Sequence, residues 1–238
     1  MVCLRTIKLL RDDFPETKKY PFGLPSLKAM EEIELEAPVT FFVGENGSGK
    51  STLLEAIAYQ CGFHTAGGSR NNVYDVDKSE ASLGDYVRLS WMPKLTNGFF
   101  LRAESFYQFA SHIDETERIN PTRYRNYGGR SLHEQSHGES FLALFANRFS
   151  GKGIYLLDEP EAALSPMRQL AFLYVMQDLV AEGAQFLIAT HSPILMGFPG
   201  ATILNFDASP LVQVRYEETE HYQITRRFLE NPAKFLAE

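Results

Sequence analysis

The residues with the most chemical content lie in one octet, Gly44, Glu45, Asn46, Gly47, Ser48, Gly49, Lys50 and Ser51, followed by Thr52. Its spacing is that of a phosphate-binding loop, G-x-x-x-x-G-K-[ST], with an apolar run at 39–43 before it and a helical pattern after it. Glycines let the backbone curl until its N–H groups face an anion, and the N-terminal end of the following helix adds partial positive charge. In that geometry Lys50 reaches the β and γ phosphates of a nucleotide. The Ser51 hydroxyl completes the shell of a Mg²⁺ ion, and Thr52 donates to the α phosphate. A plain strand-to-helix turn needs one or two glycines and has no use for Lys-Ser at this offset.

A second chemical element is the pair Asp158 and Glu159, which ends the apolar run 154–157. In a parallel sheet the carboxyl ends of strands collect at the edge where ligands bind. Asp158 is then placed to hold Mg²⁺ through water, and Glu159 to take a proton from an attacking water. Kinases built on the same loop also end a strand in an acid, but with a substrate hydroxyl as acceptor, so the rest of the chain has to separate the two classes.

These side chains need a scaffold that brings distant strand ends together. The runs at 39–43, 99–101, 154–157 and 186–189 lack polar alternation, as strands covered on both faces do, and helical patterns follow two of them, at 51–61 and 167–181. Strand, turn and helix in succession imply an α/β architecture. Residues 86–91 alternate, with Val87, Leu89 and Trp91 on one face, and Asn97-Gly98 leads into a second run at 99–103; together they read as an antiparallel hairpin. The polar stretch 62–84 reads as a mobile loop. The stretch 111–135 reads as part of a helical lobe or lid, roughly 105–150, inserted before the second half of the sheet.

The chain has 238 residues, 44% hydrophobic and 22% charged, which is material for one α/β domain with a sizeable core and argues against wholesale disorder. A formal charge of −7 excludes a whole-surface field that attracts nucleic acid and leaves only a local basic patch. The best candidate is Arg118, Arg123, Arg125 and Arg130, interleaved with Tyr124 and Tyr127, although Asp114, Glu115, Glu117 and Glu134 in the same stretch favour a solvated lid face. Cys3 and Cys61 stand in no metal-ligand spacing and suggest neither a disulfide framework nor a zinc site, so a reducing, cytoplasmic location is expected. No signal-peptide succession opens the chain and no apolar run approaches a membrane span, so no direct membrane insertion is expected.

Taken in order, these residues resemble the ATP-binding cassette (ABC) class of ATPases over nearly the whole chain. The family's LSGGQ signature has a diverged counterpart in Gln135-Ser136-His137-Gly138-Glu139, ahead of a helical pattern at 140–148 and of the acidic strand, in the position the family requires. By that resemblance Ser136, Gly138 and the helix N-terminus grip a γ phosphate. Ala162-Ala163-Leu164-Ser165 loosely matches the family's SALD-like loop, with Ser165 where the family has Asp. The strand ending in Thr190-His191-Ser192-Pro193 places His191 where the family has the switch histidine that hydrogen-bonds the γ phosphate. The Gln loop has two candidates, Glu104 by position and Gln108 by chemistry. The adenine-stacking aromatic also has two, Tyr20 and Phe22, each of which could equally be a packing residue.

Within the class, Phe100-Leu101-Arg102-Ala103-Glu104-Ser105-Phe106 and Ser136-His137-Gly138-Glu139-Ser140 look like the soluble, stand-alone AAA-type ATPases related to the SMC and RecF-like ATPases. No heptad insertion separates the phosphate loop from the signature, so no coiled-coil arm is expected. The resemblance implies one ABC-type ATPase domain over 1–238: a P-loop NTPase fold with a mostly parallel core sheet, an antiparallel β subdomain and a helical signature lobe. It implies ATP and Mg²⁺, hydrolysis to ADP and phosphate, and an ATP-dependent homodimer. In that head-to-tail dimer one copy supplies the phosphate loop, Asp158, Glu159 and His191, and the other supplies Ser136 and Gly138. It further implies a switch for nucleic-acid transactions or a partner effector in repair or defence, with the ATP-binding subunit of a membrane transporter as the alternative. The tail 219–238, with Phe228, Leu229, Phe235 and Leu236 at roughly helical spacing, is expected to pack on its own domain, with docking on a partner as the alternative.

Overall fold

The computed structural model describes residues 2–15, 17–64, 80–149 and 151–236. The first half of the chain forms β1 (Leu4–Leu9), α1 (Pro25–Ala29), β2 (Glu32–Glu34), β3 (Val39–Val43), α2 (Lys50–Cys61), β4 (Val87–Trp91), β5 (Gly98–Arg102) and α3 (Phe106–Ile119). The second half forms α4 (His137–Arg148), β6 (Ile154–Asp158), α5 (Pro166–Ala181), β7 (Gln185–Ala189), α6 (Pro193–Met196) and β8 (Thr202–Asn205). It closes with β9 (Val212–Val214), α7 (Glu220–Glu230) and α8 (Pro232–Leu236).

Six strands make the central sheet in the order β5-β6-β7-β3-β8-β9, and every pairing is parallel except that of β9 with β8. The four apolar runs all lie inside it. β3, β6 and β7 are buried at every position, as strands with helices over both faces have to be. A smaller antiparallel sheet, β2-β1-β4, lies beside it. Buried Gln185, the first residue of β7, joins the two sheets: its side-chain oxygen accepts from the Cys3 and Leu4 N–H groups, and its amide donates to the Leu4 carbonyl at 2.9 Å. The architecture is therefore α/β, with a mostly parallel core sheet and a separate antiparallel one.

The expected hairpin does not form. β4 pairs with β1 in the small sheet, whereas β5 runs parallel to β6 in the large one, with Gly98 opposite Ile154 and Arg102 opposite Asp158. The burial patterns give the reason: β4 has one covered face, but β5 is buried from Gly98 to Leu101 and needs a two-sided interior. Asn97-Gly98 is no turn. A Cβ on Gly98 would lie 2.2 Å from the Ile154 carbonyl oxygen, so glycine is required here by close approach of two backbones. Most of the 62–84 stretch, expected as a mobile loop, lies outside the described residues. Its last part forms a 3₁₀ turn over Glu80–Tyr86, held to α2 by a 2.6 Å hydrogen bond from Gln60 to the Gly84 carbonyl.

Side chains alternate between the two faces of the central sheet, and each face has its own core. Phe42, Phe100, Leu156 and Leu187 pack under α2 and the small sheet. Phe41, Phe99, Leu101, Tyr155 and Phe186 pack under α3, α4 and α5 on the other side. There an aromatic chain ties the helices to the strands: Phe172 of α5 meets Phe145 of α4 at 4.4 Å, and Phe149 stacks on Tyr155 of β6 at 4.2 Å. The tail departs from expectation. None of the residues of α7 or α8 is buried, and Leu229 and Leu236 are 72% and 74% exposed. Among the described residues the tail is held at the entry to α7, around buried Thr219. Among the described residues no helix is long and apolar enough to cross a membrane. Gly98→Ala is expected to destabilise the fold by about 2 kcal/mol or more, because neither backbone can retreat without breaking the β5–β6 ladder; thermal unfolding measures it, and an unchanged midpoint would contradict the close approach.

Candidate active site

The parallel register lines up strand ends that are distant in sequence. Arg102 lies opposite Asp158, Asp158 opposite Ala189, Ala189 opposite Phe42, and Val43 opposite Asn205. The residues that follow these ends, 44–52, 103–104, 159–161, 190–193 and 206–207, therefore emerge along one edge. Three further backbone bonds carry the ladder past the strands: Glu159 N–H to Ala189 O, Thr190 N–H to Phe42 O, and Phe206 N–H to Val43 O.

The 44–52 loop curls through three glycines with positive φ, Gly44 at 140°, Gly47 at 81° and Gly49 at 105°. Lys50, 4% exposed, folds back into the loop and donates to the Gly44 and Glu45 carbonyls at 2.6 and 2.9 Å. Burial pulls its ammonium below the ordinary lysine value, against the pull of the Glu159, Asp207 and Asp158 carboxylates. Ser51, on the first turn of α2, donates to Asp158 Oδ1 at 2.8 Å across 107 residues of chain. The Thr52 hydroxyl meets the Tyr20 hydroxyl at 3.0 Å.

Asp158 is buried, which pushes its carboxyl up to about 6 even though the Ser51 hydroxyl and the Arg102 guanidinium pull it down. Glu159 takes a left-handed backbone, φ 50° and ψ 50°, and its side chain is exposed to water. This is a costly conformation for a residue with a Cβ, and such strain gathers at functional positions. His191 Nε2 lies 3.6 Å from Glu159 Oε1; it is buried and has no hydrogen-bond partner among the described residues. The His191 N–H donates to Glu161 Oε1 at 2.6 Å, and Ser192 caps α6 through the Ile194 and Leu195 N–H groups, which fixes the loop from both sides. The site thus holds a cation, two carboxylates, a hydroxyl and an imidazole around a loop of amides.

The signature lies apart from this edge. The Ser136 N–H and hydroxyl both donate to Glu139 Oε2, at 3.1 and 2.8 Å, in a capping arrangement at the start of α4. Glu139 also pairs with Arg168 of α5 at 3.5 Å, and Arg168 packs over buried Gly138. Among the described residues no hydrogen bond or ion pair joins Ser136 or Glu139 to the phosphate loop. Of the two aromatic candidates, Phe22 is buried between Phe14 and Tyr86, whereas Tyr20 is exposed beside Thr52. Of the two Gln-loop candidates, Glu104 reaches Arg102 at 3.9 Å beside Asp158, and Gln108 is exposed on α3.

Two protein-family models match the chain, one described as "AAA domain" over residues 23–140 and one as "AAA domain, putative AbiEii toxin, Type IV TA system" over residues 122–197. Together they run from before the phosphate loop to beyond His191. The matched stretch is an AAA-type ATPase domain. Similar solved structures include the SMC head domain from Thermotoga maritima, 19% identical, covering 90% of this chain and 100% of that one with a TM-score of 0.49. The SmcHead bound to the C-winged helix domain of ScpA is 15% identical over 79% and 94% of the two chains, with a TM-score of 0.48. The protein cbiO1 from Clostridium perfringens, part of the ABC transporter complex cbiONQ, is 17% identical over 86% and 89%, with a TM-score of 0.47. No curated protein matches the chain.

The residues of this ATPase domain fit a nucleoside triphosphate with a hard divalent cation. One hydroxyl and one carboxylate, Ser51 and Asp158, are already joined, a donor set that leaves most positions to phosphate oxygens and water, as Mg²⁺ prefers. The orphaned Nε2 of His191 is a polar group without an internal use. Several neighbours carry no chemical role that the sequence assigned. Arg102 pairs with buried Glu55 and, at 3.4 Å, with Asp158. Asp207 accepts from the Glu45 N–H at 2.8 Å and braces the loop at Gly44, and Glu161 holds the His191 backbone. Their common signal is position: each is a charged residue at or just after the end of a central strand.

A carboxyl whose folded pKa lies above its unfolded value stabilises the fold at low pH and loses that contribution as pH rises from about 4 to about 6. Ionised Asp158 therefore costs stability at pH 8. Asp158→Asn is expected to raise the thermal midpoint of the nucleotide-free, Mg²⁺-free protein at pH 8 by about 3 °C or more and to lose that gain at pH 4. Calorimetry measures both; a lower midpoint at pH 8 would mean that the Arg102 pair outweighs burial.

Proposed function

We propose that this ATPase binds ATP with Mg²⁺ in the 44–52 loop and hydrolyses it between two copies placed head to tail, the association and release of the copies being its output. The observation that carries this reading is the Ser51 hydroxyl on Asp158 at 2.8 Å, next to buried Lys50. A hydroxyl, a carboxylate and an ammonium under an amide-lined loop have one shared use, a polyphosphate and its cation. Lys50 exchanges the Gly44 and Glu45 carbonyls for phosphate oxygens, and Thr52 donates to the α phosphate. Tyr20, exposed at that end of the loop, stacks on adenine. Mg²⁺, when bound, offsets charge on the β and γ phosphates. Glu159, exposed to water, takes the proton of the attacking water, and His191 presents Nε2 to the γ phosphate.

One copy leaves the site open on the γ side. Ser136 caps α4 and Gly138 lies in its first turn, where their described partners are Glu139, Ser140 and Arg168, which supports their serving a nucleotide held by a second copy. In the lone copy the Glu139 carboxylate takes the Ser136 N–H and hydroxyl that a phosphate would use, so docking exchanges one anion for another. The switch acts on nucleic acid or on a protein effector. With a net charge of −7, contact with nucleic acid has to be local, and Arg118 in the last turn of α3 and Arg123, Arg125 and Arg130 on the segment joining α3 to α4 are all exposed.

Glu159→Gln with ATP and Mg²⁺ is expected to form a stable dimer at micromolar concentration while hydrolysis falls by about 100-fold or more. Light scattering reads the first; a variant that binds ATP and stays monomeric overturns the two-copy site. Lys50→Ala is expected to lose nucleotide binding and hydrolysis together, and an unchanged rate overturns the assignment of the loop. The ATP-locked Glu159→Gln dimer is the form in which co-purified nucleic acid or protein identifies the load.

A further inference from the structure

The first turn of α7 reaches the active site, and no motif gives it a role. His221 Nε2 lies 2.9 Å from His191 Nδ1. The turn that carries it is well anchored. Buried Thr219 caps α7 and donates its hydroxyl to the Tyr216 carbonyl at 2.8 Å, and the Tyr216 hydroxyl donates to the Pro193 carbonyl, also at 2.8 Å. The Tyr216 and Tyr222 rings pack at 4.6 Å on either side of that cap. His191 is fixed separately, through the bond of its backbone to Glu161. The two rings therefore meet because two anchored segments bring them together.

We propose that His221 is a positioning residue for hydrolysis: it donates its Nε2–H to Nδ1 of His191 and so holds His191 in the tautomer whose proton sits on Nε2. The proposal rests on His191 acting on the γ phosphate as described above. Two imidazoles joined by one hydrogen bond share a single proton in that bond, and there are two ways to place it. If His191 donated it, Nε2 would turn a lone pair toward the Glu159 carboxylate 3.6 Å away and toward an arriving phosphate. If His221 donates it, Nε2 presents an N–H to both. Anions on that side select the second arrangement. Nε2 is buried and has no hydrogen-bond partner among the described residues, so its proton is not committed to another group of the protein. Burial, then the Lys50 charge, then His221 pull His191 below the ordinary histidine value, which keeps the ring neutral near pH 7 and makes tautomer, not charge, the deciding property. Without the His221 ring, water at Nδ1 can donate or accept, and both tautomers are populated.

Two measurements test this. Long-range ¹H–¹⁵N correlation of the histidine rings in the nucleotide-free protein is expected to show His191 protonated on Nε2 in the wild type and mixed in His221→Ala. Steady-state hydrolysis is expected to show His221→Ala losing about tenfold in kcat with little change in KM for ATP. His221→Gln, whose amide N–H can donate to the same Nδ1, is expected to recover most of the rate. A wild-type His191 protonated on Nδ1 overturns the proposal, as does a His221→Ala protein with unchanged tautomer and kcat. The spectrum needs no nucleotide, so failure here is distinguishable from failure of the hydrolysis reading, which Lys50→Ala reports.

Discussion

The ladder register of five parallel strands is the constraint on which the site depends. Arg102, Asp158, Ala189 and Phe42 stand in one row across β5, β6, β7 and β3, with Val43 and Asn205 one step on. A one-residue slip at any pairing would turn every side chain of that strand to the other face, and the two cores forbid it: Phe41 and Phe42, or Leu156 and Leu157, belong to opposite faces. Packing far from the chemistry thus fixes where Lys50, Asp158 and His191 can be. The Ser51–Asp158 bond is a consequence of that register, since α2 starts where β3 ends and β6 ends within reach of it.

Bringing these groups together works against stability. Lys50 and Asp158 are buried, each with its ordinary pKa moved toward the neutral form by loss of water, and Glu159 holds a left-handed backbone. Partial compensation is built in: carbonyls for Lys50, the Ser51 hydroxyl and the Arg102–Glu55 pair for Asp158. A phosphate and a divalent cation would complete it, because each supplies the charge its partner lacks. The two aromatic-rich cores supply the stability from which this local cost is drawn.

What was legible in the sequence follows from periodicity. Apolar runs without alternation announced β3, β5, β6 and β7, and the glycine spacing announced the loop between β3 and α2. Pairing was less legible, because pairing is a long-range property. Asn97-Gly98 has turn chemistry, yet the glycine serves a close approach to Ile154. Gln185, a polar residue outside every motif, is a buried clasp for β1. Tyr127 reads as an aromatic interleaved with arginines and belongs to the core, against Phe109. At the site, a contiguous motif gives its own residues a role and leaves the partners that the fold brings to them without one. Arg102, Glu161, Asp207 and His221 each act through a neighbour that the fold, not the sequence, provides. The choices of Tyr20 against Phe22 and Glu104 against Gln108 depend on burial and position, which no spacing encodes.

The tail shows how little binding energy such an arrangement requires. Its apolar side chains, Ile224, Phe228 and Leu229, stay exposed, so α7 is held by its first turn: the Thr219 cap, the Tyr216 hydroxyl on Pro193, and the two imidazoles. A hydrogen bond between neutral groups is worth about 1 kcal/mol to a fold, and losing it would hardly shift the equilibrium between folded and unfolded chain. Its effect on His191 is of another kind, since the proton between the rings decides whether Nε2 can donate or only accept. The same bond is therefore minor in the stability of the protein and large in what one ring can do to a phosphate. A residue with that imbalance is conspicuous in tautomer and rate while nearly silent in unfolding, which separates a positioning group from a packing one.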